Sequence, residues 1–421
     1  MIREFVGHVA LPAPPRAMEG IRVLDLSRIL AGPTAGQLLG DFGAEVIKVE
    51  RPGMGDDARR LGGESLRASD GTESDFAPMY VCANRNKKSI CVDISKPEGV
   101  KILLQLAQWA DVLIENYKVG DLKRYGLDYG SLSDLNPRLV YCSITGFGQT
   151  GPYAPRAGFD SVFQALSGLM STTGNADDAP GAGPMRVGVP IIDFIGGLYA
   201  FSAIMVALHH RDRTAGKGQH IDLSLLDAGI SATTIAMTNF FATGERFERS
   251  GNEQAALVPV QVLRCADGEI LVSAPTDDAF RRLCLALQCP SLAADVRFSS
   301  ARERVRNRAA LTPALAGLVA AKSCGNLLKL LEANSVPAAP IHELDQVFAD
   351  PQVNHRRNDV EVPHPYLGRI RMGTNPIRLS ATPVDQYAPP PMLGEHTDWV
   401  LRNVLGLSAA KVDELRAAGA I

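Results

Sequence analysis

Short apolar runs alternate with helical patterns between residues 20 and 151. The runs that predict β-strands are residues 21–26, 45–50, 111–115 and 139–143. The stretch 32–40 carries a proline that suits the first turn of a helix, and the apolar positions of 97–110 recur at helical spacing. This alternation is typical of parallel βαβ units, so we predict an α/β fold with a doubly wound sheet.

The pattern changes from about residue 242 onward. The turn at 266–268 and the helical run 326–331 predict a smaller α+β unit. A proline-rich stretch, 363–391, then precedes a closing helix at 397–405. The expected parts are a large domain over residues 1–225, a small α+β domain over 245–340 and a C-terminal segment over 345–421.

Composition and charge indicate which binding partners and which cellular compartment to expect. The chain has 421 residues, 46% of them apolar, and a formal net charge of -3 without a block of lysine or arginine, so nucleic acid is not expected. Residues 1–17, to which we assign no function, lack an apolar run of signal-peptide length, and we expect no membrane span. Seven scattered cysteines without a C-x-x-C pair suit a reducing compartment. We therefore expect a cytoplasmic protein.

Several common catalytic motifs are missing from the sequence. Neither H-E-x-x-H, a calcium loop, G-x-S-x-G nor a P-loop occurs, which disfavours a metal site, a serine hydrolase and a P-loop enzyme. The first βα turn does not fit G-x-G-x-x-G, so a nicotinamide site is also disfavoured. Ligands of doubly wound sheets bind beyond the carboxyl ends of the strands. Cations near these ends, which a phosphate-bearing ligand would meet, are Arg51, Lys87, Lys88 and Arg124.

One acidic residue stands in an otherwise uncharged stretch. Asp193 lies within residues 187–200 and precedes a long apolar helix that extends to about Leu208. Its carboxylate either caps the helix by accepting backbone amide hydrogens or, with little water around it, serves as a nucleophile toward a carbonyl. The residues alone leave both roles open.

A set of motifs spread along the chain carries a family resemblance. They are Ala31-Gly32-Pro33, residues 39–50, 84–89, Glu115-Asn116-Tyr117, residues 146–152, 167–170, 214–219 and 393–397. On these motifs the sequence resembles the class III coenzyme A-transferases, a family that includes formyl-CoA transferase and α-methylacyl-CoA racemase. The resemblance covers nearly the whole chain from Gly20 onward.

The resemblance implies an architecture and a reaction. It implies a homodimer of interlocked, ring-shaped protomers, each with a Rossmann-like large domain to which the C-terminal segment returns. The catalytic aspartate of the family matches Asp193, which would form an anhydride with the donor acyl group and then an aspartyl-CoA thioester. Acyl-CoA and a carboxylic acid are the expected substrates, and neither a permanently bound cofactor nor a metal is expected.

The same resemblance assigns further site residues. Ile29, Leu30 and Ala31 should line the coenzyme, Arg51 should meet its nucleotide end, and Asn116, Tyr117 and Arg124 should continue the groove. Two more cations, Lys87 and Arg156, are either coenzyme contacts or solvated surface side chains. Gln149 either hydrogen-bonds a reacting carboxylate or orders its own loop.

Departures from the relatives narrow the reaction. The racemases carry a Gly-His-Asp triplet, but this chain has Gly158-Phe159-Asp160, and phenylalanine cannot move a proton. Residues 249–256 lack the glycine run of formyl-CoA transferase, which argues against oxalate and formate. The sequence is most similar to members that use succinyl-CoA and transfer the coenzyme to short dicarboxylic or hydroxy acids. For a diacid, Arg28 or Arg156 would pair with the distal carboxylate. A racemase-like proton-transfer enzyme and a non-catalytic acyl-CoA-binding homologue are the alternatives.

Overall fold

The computed structural model describes residues 16–421, so most of the stretch 1–17 and the predicted domain start at residue 1 lie outside the described residues. The strands are β1 Arg22–Asp25, β2 Glu45–Glu50, β3 Lys87–Cys91, β4 Val112–Glu115, β5 Val140–Thr145, β6 His220–Ser224, β7 Val260–Arg264, β8 Glu269–Ser273, β9 Ala338–Pro340, β10 Asp359–His364 and β11 Gly368–Gly373. The helices are α1 Ala31–Asp41, α2 Pro78–Val81, α3 Pro97–Trp109, α4 Tyr129–Leu135, α5 Asp160–Leu166, α6 Leu169–Thr172, α7 Ile191–Arg213, α8 Leu225–Ala232, α9 Thr234–Thr243, α10 Asp277–Ala286, α11 Pro290–Ala294, α12 Ala301–Arg306, α13 Arg308–Val319, α14 Cys324–Ala333, α15 Leu344–Ala349, α16 Pro351–His355, α17 Thr397–Trp399 and α18 Ala409–Ala417.

Six parallel strands form the central sheet, in the order β3-β2-β1-β4-β5-β6. Leu24 of β1 pairs with Ile47 of β2 on one side and with Leu113 of β4 on the other. All three side chains are fully buried and belong to one apolar core with α3. The predicted α/β class with a parallel sheet is confirmed, and the strand order reverses direction between β1 and β4, where such sheets bind ligands.

Two strands of this sheet, β3 and β6, were not predicted from the sequence. β3 begins with two lysines and β6 carries His220 and Asp222, so neither segment has the apolar run of a buried parallel strand. Lys87 is nevertheless fully buried in β3, because its ammonium group forms an ion pair of 2.8 Å with Asp25 of β1. Burial of a paired charge is what the apolar pattern does not reveal.

The chain divides into two compact units. The first comprises the residues up to Leu166, Val189–Ala232 and Arg357–Ile421, and the second comprises Ser167–Gly188 and Thr233–Arg356. The first unit contains the parallel sheet and the β10–β11 hairpin, and the second contains an antiparallel sheet in the order β7-β8-β9. The limits expected from the sequence, 1–225, 245–340 and 345–421, stay a prediction.

Helix α7 has the length and composition of a membrane span. It is 23 residues long and has a mean hydropathy of 2.0 over its most apolar window. The expectation that no segment approaches a span is therefore wrong by these two criteria, because α7 is apolar on nearly every side. Its buried residues include Ile192, Ala200, Ile204 and Ala207, and it packs on α1, α8, β5 and β6. Helices α13 and α14 pass the same test only when taken together across a bend of 111°.

Glycine lets α7 approach α1 closely. A Cβ added at Gly197 would lie 2.8 Å from the carbonyl oxygen of Ala31 and 2.9 Å from Cβ of Thr34. No real side chain tolerates such distances, so α7 would have to move away from α1. The two helices carry Ala31 and Asp193 on their first turns, and the glycine therefore sets how near these two residues lie.

We expect Gly197→Ala to lower the free energy of unfolding by about 1–3 kcal/mol, the usual cost of overpacking a filled core. Transfer activity should fall with it. Denaturant unfolding monitored by circular dichroism measures the change. The matched control is Gly317→Ala in α13, where an added Cβ meets nothing within 4 Å. This control should gain up to about 1 kcal/mol from helix propensity, and an equal loss in both variants would contradict the packing argument.

Candidate active site

A cavity of about 400 Å³ opens at the point where the strand order reverses. Its walls come from the loop 28–31 after β1, the loop 116–119 after β4 and the end of β5 at 144–146. Residues 156–159, Asp193 of α7 and four further side chains complete it, namely Asp57, Leu61, Ala154 and Leu225. Loops from distant parts of the first unit thus meet around two carboxylates, those of Asp57 and Asp193. The carboxylate of Asp57 lies 3.7 Å from the guanidinium groups of Arg28 and Arg51.

Asp160 caps the helix that carries Asp193. Its Oδ1 accepts the backbone amides of Ile192 at 2.7 Å and of Asp193 at 3.2 Å. Its Oδ2 accepts a hydrogen bond of 2.6 Å from Nε2 of Gln164. Within residues 16–421 no donor is hydrogen-bonded to the carboxylate of Asp193, whose side chain therefore does not serve as the helix cap.

The surroundings of Asp193 favour its neutral form. Burial beside apolar side chains and, to a smaller extent, the negative charge of Asp160 raise the pKa of the Asp193 carboxyl to about 7. A carboxylate whose pKa lies near 7 because it is buried is a stronger nucleophile than a solvated carboxylate. It has already lost the hydration that an attack would otherwise have to remove. Perturbed groups in a cleft are typical of catalytic residues.

Most of the residues expected at the site do meet there. Ile29, Leu30, Ala31, Asn116, Tyr117, Arg156 and Asp193 all line the cavity. The amide group of Asn116 is already engaged, because it accepts from the Arg28 amide at 2.8 Å and donates to the Arg28 carbonyl at 2.7 Å. Asn116 thus ties the loop after β4 to the loop after β1.

The other expected residues lie away from this cavity. Arg51 and Arg124 are exposed cations outside its walls. Lys87 is fully buried, and its three ammonium hydrogens are matched by Asp25 at 2.8 Å, the Pro33 carbonyl at 2.8 Å and Asn84 at 3.0 Å. Lys87 therefore supports β1 and α1 and has no donor left for a coenzyme, so we omit it from the proposed site.

Gln149 lines a second, adjoining cavity of about 330 Å³, and its backbone amide donates to Asp222. Ser143 and His220 also line this cavity, with 3.0 Å between Oγ and Nε2. Burial raises the pKa of the neighbouring Glu115 to about 7. The catalytic role expected for Gln149 stays a prediction.

Sequence reasoning missed several contributions to the first cavity, among them Asp57, Leu61 and Leu225. Lys118 and Val119 line it beside the expected Tyr117, and their only signal was their position directly after a predicted strand. The sequence places Asp160 in a triplet that differs from the racemases, whereas its role as a cap depends on a contact 33 residues along the chain. From residue 16 onward, no group of three or more His, Cys, Asp or Glu side chains is arranged to hold a metal ion.

Comparisons with known proteins show the family of the chain. The chain matches the model of CoA-transferase family III over residues 18–397 and belongs to that family. It is thus a CoA-transferase, an enzyme whose substrates are CoA thioesters.

The similar proteins include two named for the same pair of acids. The succinyl-CoA:glutarate CoA-transferase of Homo sapiens is 40% identical over 408 residues, which span 96% of this chain and 90% of that protein. The succinate–glutarate CoA-transferase of Agrobacterium fabrum is 43% identical over 391 residues, 92% and 95% of the two chains. A crystal structure of a CAIB/BAIF family protein from Brucella suis superimposes with a TM-score of 0.82 at 39% identity and covers 93% of this chain and 100% of that one.

The pKa of Asp193 predicts the acid limb of the pH profile. If Asp193 must be ionised to attack, kcat/KM for the acyl-CoA should fall as the pH drops below about 7, where the carboxyl becomes neutral. Asp160→Asn removes the like charge and retains an oxygen that accepts the helix amides. It should move the acid limb to lower pH.

Steady-state kinetics from pH 5 to 9 measure the acid limb in the wild-type protein and in the Asp160→Asn protein. Asp134→Asn, at an exposed carboxylate of α4, is the matched control and should leave the profile in place. An unchanged or upward-shifted limb in Asp160→Asn would contradict the electrostatic coupling.

Proposed function

We propose that the protein transfers coenzyme A from succinyl-CoA to a short dicarboxylic acid, with Asp193 as the covalent carrier. The observation that supports this most strongly is the carboxylate of Asp193, which lies in a cavity at the sheet's ligand-binding edge and to which no donor in residues 16–421 is hydrogen-bonded. The names of the similar proteins, which pair succinyl-CoA or succinate with glutarate, support the choice of acids.

The first half-reaction moves the coenzyme onto the enzyme. The Asp193 carboxylate attacks the thioester carbonyl of succinyl-CoA, which forms an aspartyl–succinyl anhydride and expels the coenzyme A thiolate. The thiolate then attacks the Asp193 carbonyl of this anhydride. Succinate leaves, and an aspartyl-CoA thioester remains.

The second half-reaction runs the same steps in reverse with the acceptor. The acceptor carboxylate attacks the aspartyl-CoA carbonyl, forms a second anhydride and expels the thiolate. The thiolate attacks the acceptor's carbonyl, which yields the new acyl-CoA and regenerates the Asp193 carboxylate. Each step exchanges one anion for another, so the cycle needs no external acid, base or oxidant.

The other residues of the cavity would bind the coenzyme and the distal carboxylate of the acid. In this proposal Ile29, Leu30, Ala31 and Tyr117 line the coenzyme, while the exposed Arg51 and Arg124 meet its charged end. Arg28 and Arg156 also line the cavity, with their guanidinium groups 5.1 Å from the ring of Tyr117 and 3.7 Å from that of Tyr153. A guanidinium fits a carboxylate through two parallel hydrogen bonds, which suits the distal carboxylate of a diacid.

Replacing the arginine that binds this distal carboxylate should selectively weaken the binding of diacid acceptors. We expect Arg28→Met or Arg156→Met to raise KM for glutarate by about tenfold or more, the value of one charge-assisted pair. KM for a monocarboxylic acceptor such as butyrate should change little. Kinetics with both acceptors identify which arginine acts, and equal effects on the two acids in both variants would contradict the assignment.

Asp193→Asn should abolish transfer while leaving the fold intact. The amide is a poor nucleophile, so we expect kcat to fall about a thousandfold or more. Wild-type protein incubated with succinyl-CoA and reduced with borohydride should yield a modified peptide containing Asp193, which mass spectrometry detects. Asp413→Asn, at an exposed carboxylate of α18, is the control and should keep wild-type activity. An Asp193→Asn protein that turns over at the wild-type rate would remove the basis of the proposal.

We also propose the interlocked homodimer that the family resemblance implies. Supporting it, α7 exposes Phe194, Tyr199 and Val206, the last at 68% of its surface. In the second unit, α9 exposes Ile235 and Phe241 at 81% and 75%. Apolar side chains exposed in such numbers mark surfaces that another protein covers.

Light scattering should therefore give twice the chain mass of 45.0 kDa. When two differently tagged dimers are mixed, interlocked chains cannot separate without unfolding, so we expect no mixed dimers until the protein is denatured and refolded. Rapid exchange between native dimers would contradict interlocking, and a monomer would contradict the dimer itself.

A further inference from the structure

The segment that follows β1 is held in a conformation that its side chain disfavours. Ile29 has a φ of 71°, in the left-handed region. A β-branched residue there is a genuine outlier, because its Cβ crowds the backbone. Such residues persist only where their surroundings hold them, and they cluster at functional sites.

A buried ion pair supplies the contacts that hold this backbone. The Ile29 amide donates to both carboxylate oxygens of Asp56, at 3.0 and 3.2 Å. Lys48 donates to Asp56 at 2.8 Å and to the carbonyl of Ser27 at 2.9 Å. Both charged side chains are essentially inaccessible to solvent, so the pair and the segment 27–29 form one network.

The pair stays charged in spite of its burial. Burial opposes both charges, but Asp56 together with Asp25 and Glu50 raises the pKa of Lys48 above its ordinary value. Burial likewise opposes ionisation of Asp56, and Lys48 with the backbone amides of Ala58 and Ile29 nevertheless lowers its pKa. The Ile29 amide therefore faces an ionised acceptor, which makes the stronger hydrogen bond.

The same segment is fixed from two further directions. Asn116 binds the amide and the carbonyl of Arg28, and Gly197 lets α7 pack against the carbonyl of Ala31. Ile29 and Ala31 line the cavity that contains Asp193. A change in the Ile29 backbone would move the wall between these anchors.

We propose that Lys48 and Asp56 are positioning residues for the transfer reaction, whose buried ion pair holds Ile29 left-handed and so shapes the coenzyme wall of the Asp193 cavity. Their role in transfer rests on the proposed function above. Neither side chain lines the cavity, so both act through the backbone of the segment 27–31. The geometry they impose is a property of the free protein.

Two substitutions of Ile29 test the strain without touching the pair. Ile29→Ala and Ile29→Gly both remove the apolar side chain, but only glycine adopts a positive φ without steric penalty. In an ordinary position glycine is the less stable of the two. Here we expect the Ile29→Gly protein to unfold at a higher temperature than the Ile29→Ala protein, and the opposite order would overturn the proposal.

The second test asks whether the pair acts through residue 29. Lys48→Met/Asp56→Leu removes both charges together, which avoids leaving one buried charge unpaired. Introduced into the Ile29→Ala and Ile29→Gly proteins, it should lower kcat/KM for succinyl-CoA about tenfold more in the alanine background, as expected for coupled neighbours. A merely structural role would reduce activity equally in both, and that result would overturn the proposal.

Calorimetric titration with coenzyme A separates this inference from the proposed function. If the wild-type protein transfers nothing yet binds coenzyme A, and the affinities of the four variants show the same coupling, the proposed reaction fails while the positioning role stands. If transfer is normal and neither kcat/KM nor affinity shows the coupling, the positioning role fails alone. Should the variants that lack the ion pair not fold, the order of unfolding temperatures of Ile29→Ala and Ile29→Gly decides.

Discussion

The hydrogen bonds from the first amides of α7 to the carboxylate of Asp160 are the contacts on which the site depends. Every helix begins with amides that need acceptors, and an aspartate at the N-cap position is a common acceptor. Because Asp160 takes this role from outside the helix, no donor in the described part of the chain needs to be hydrogen-bonded to the carboxylate of Asp193, and none is. The half-buried carboxylate is then available for chemistry instead of capping.

The different roles of Asp160 and Asp193 at the start of α7 also explain the electrostatics of the cavity. Two carboxylates at one helix terminus repel each other, but one is satisfied by amides and by Gln164 while the other is not. Their environments therefore differ although their chemistry is identical. Pairs of acidic groups with unlike surroundings are a recurring way of giving one of them a reactive state near neutral pH.

On the other side of the cavity, buried charged groups hold the backbone of the segment 27–31 in place. Lys48 and Asp56 lie in the interior and do not line the cavity, yet Asp56 accepts a hydrogen bond from the amide of Ile29, which does line it. The strand-order reversal between β1 and β4 brings the two loops together, and Asn116 joins them. The fold thus supplies one wall of the cavity, and close packing of α1 on α7 fixes its distance from Asp193.

Sequence patterns predicted the strands and helices that bury continuous or periodic runs of apolar residues. The strands β1, β2, β4 and β5 were found because each is an apolar run, whereas β3 was missed because Lys87 is buried by pairing with Asp25. Asp193 drew attention because it is a charge among apolar residues, but only the family resemblance assigned it a catalytic role. Asp160 and Asp56 were not found, because their roles depend on partners that are distant in sequence or on a backbone angle, which no periodicity encodes. The same reason explains why Lys87 looked like a ligand for phosphate.

The most direct test of the covalent account follows oxygen atoms. With an acceptor diacid labelled with ¹⁸O in its carboxylates, the anhydride route leaves one acceptor oxygen on the Asp193 carboxylate in each turnover. Mass spectrometry of the peptide that contains Asp193 should therefore show incorporated ¹⁸O after incubation with succinyl-CoA and the labelled acid. If many turnovers leave that peptide unlabelled, the acid attacks the thioester directly and Asp193 is not the carrier.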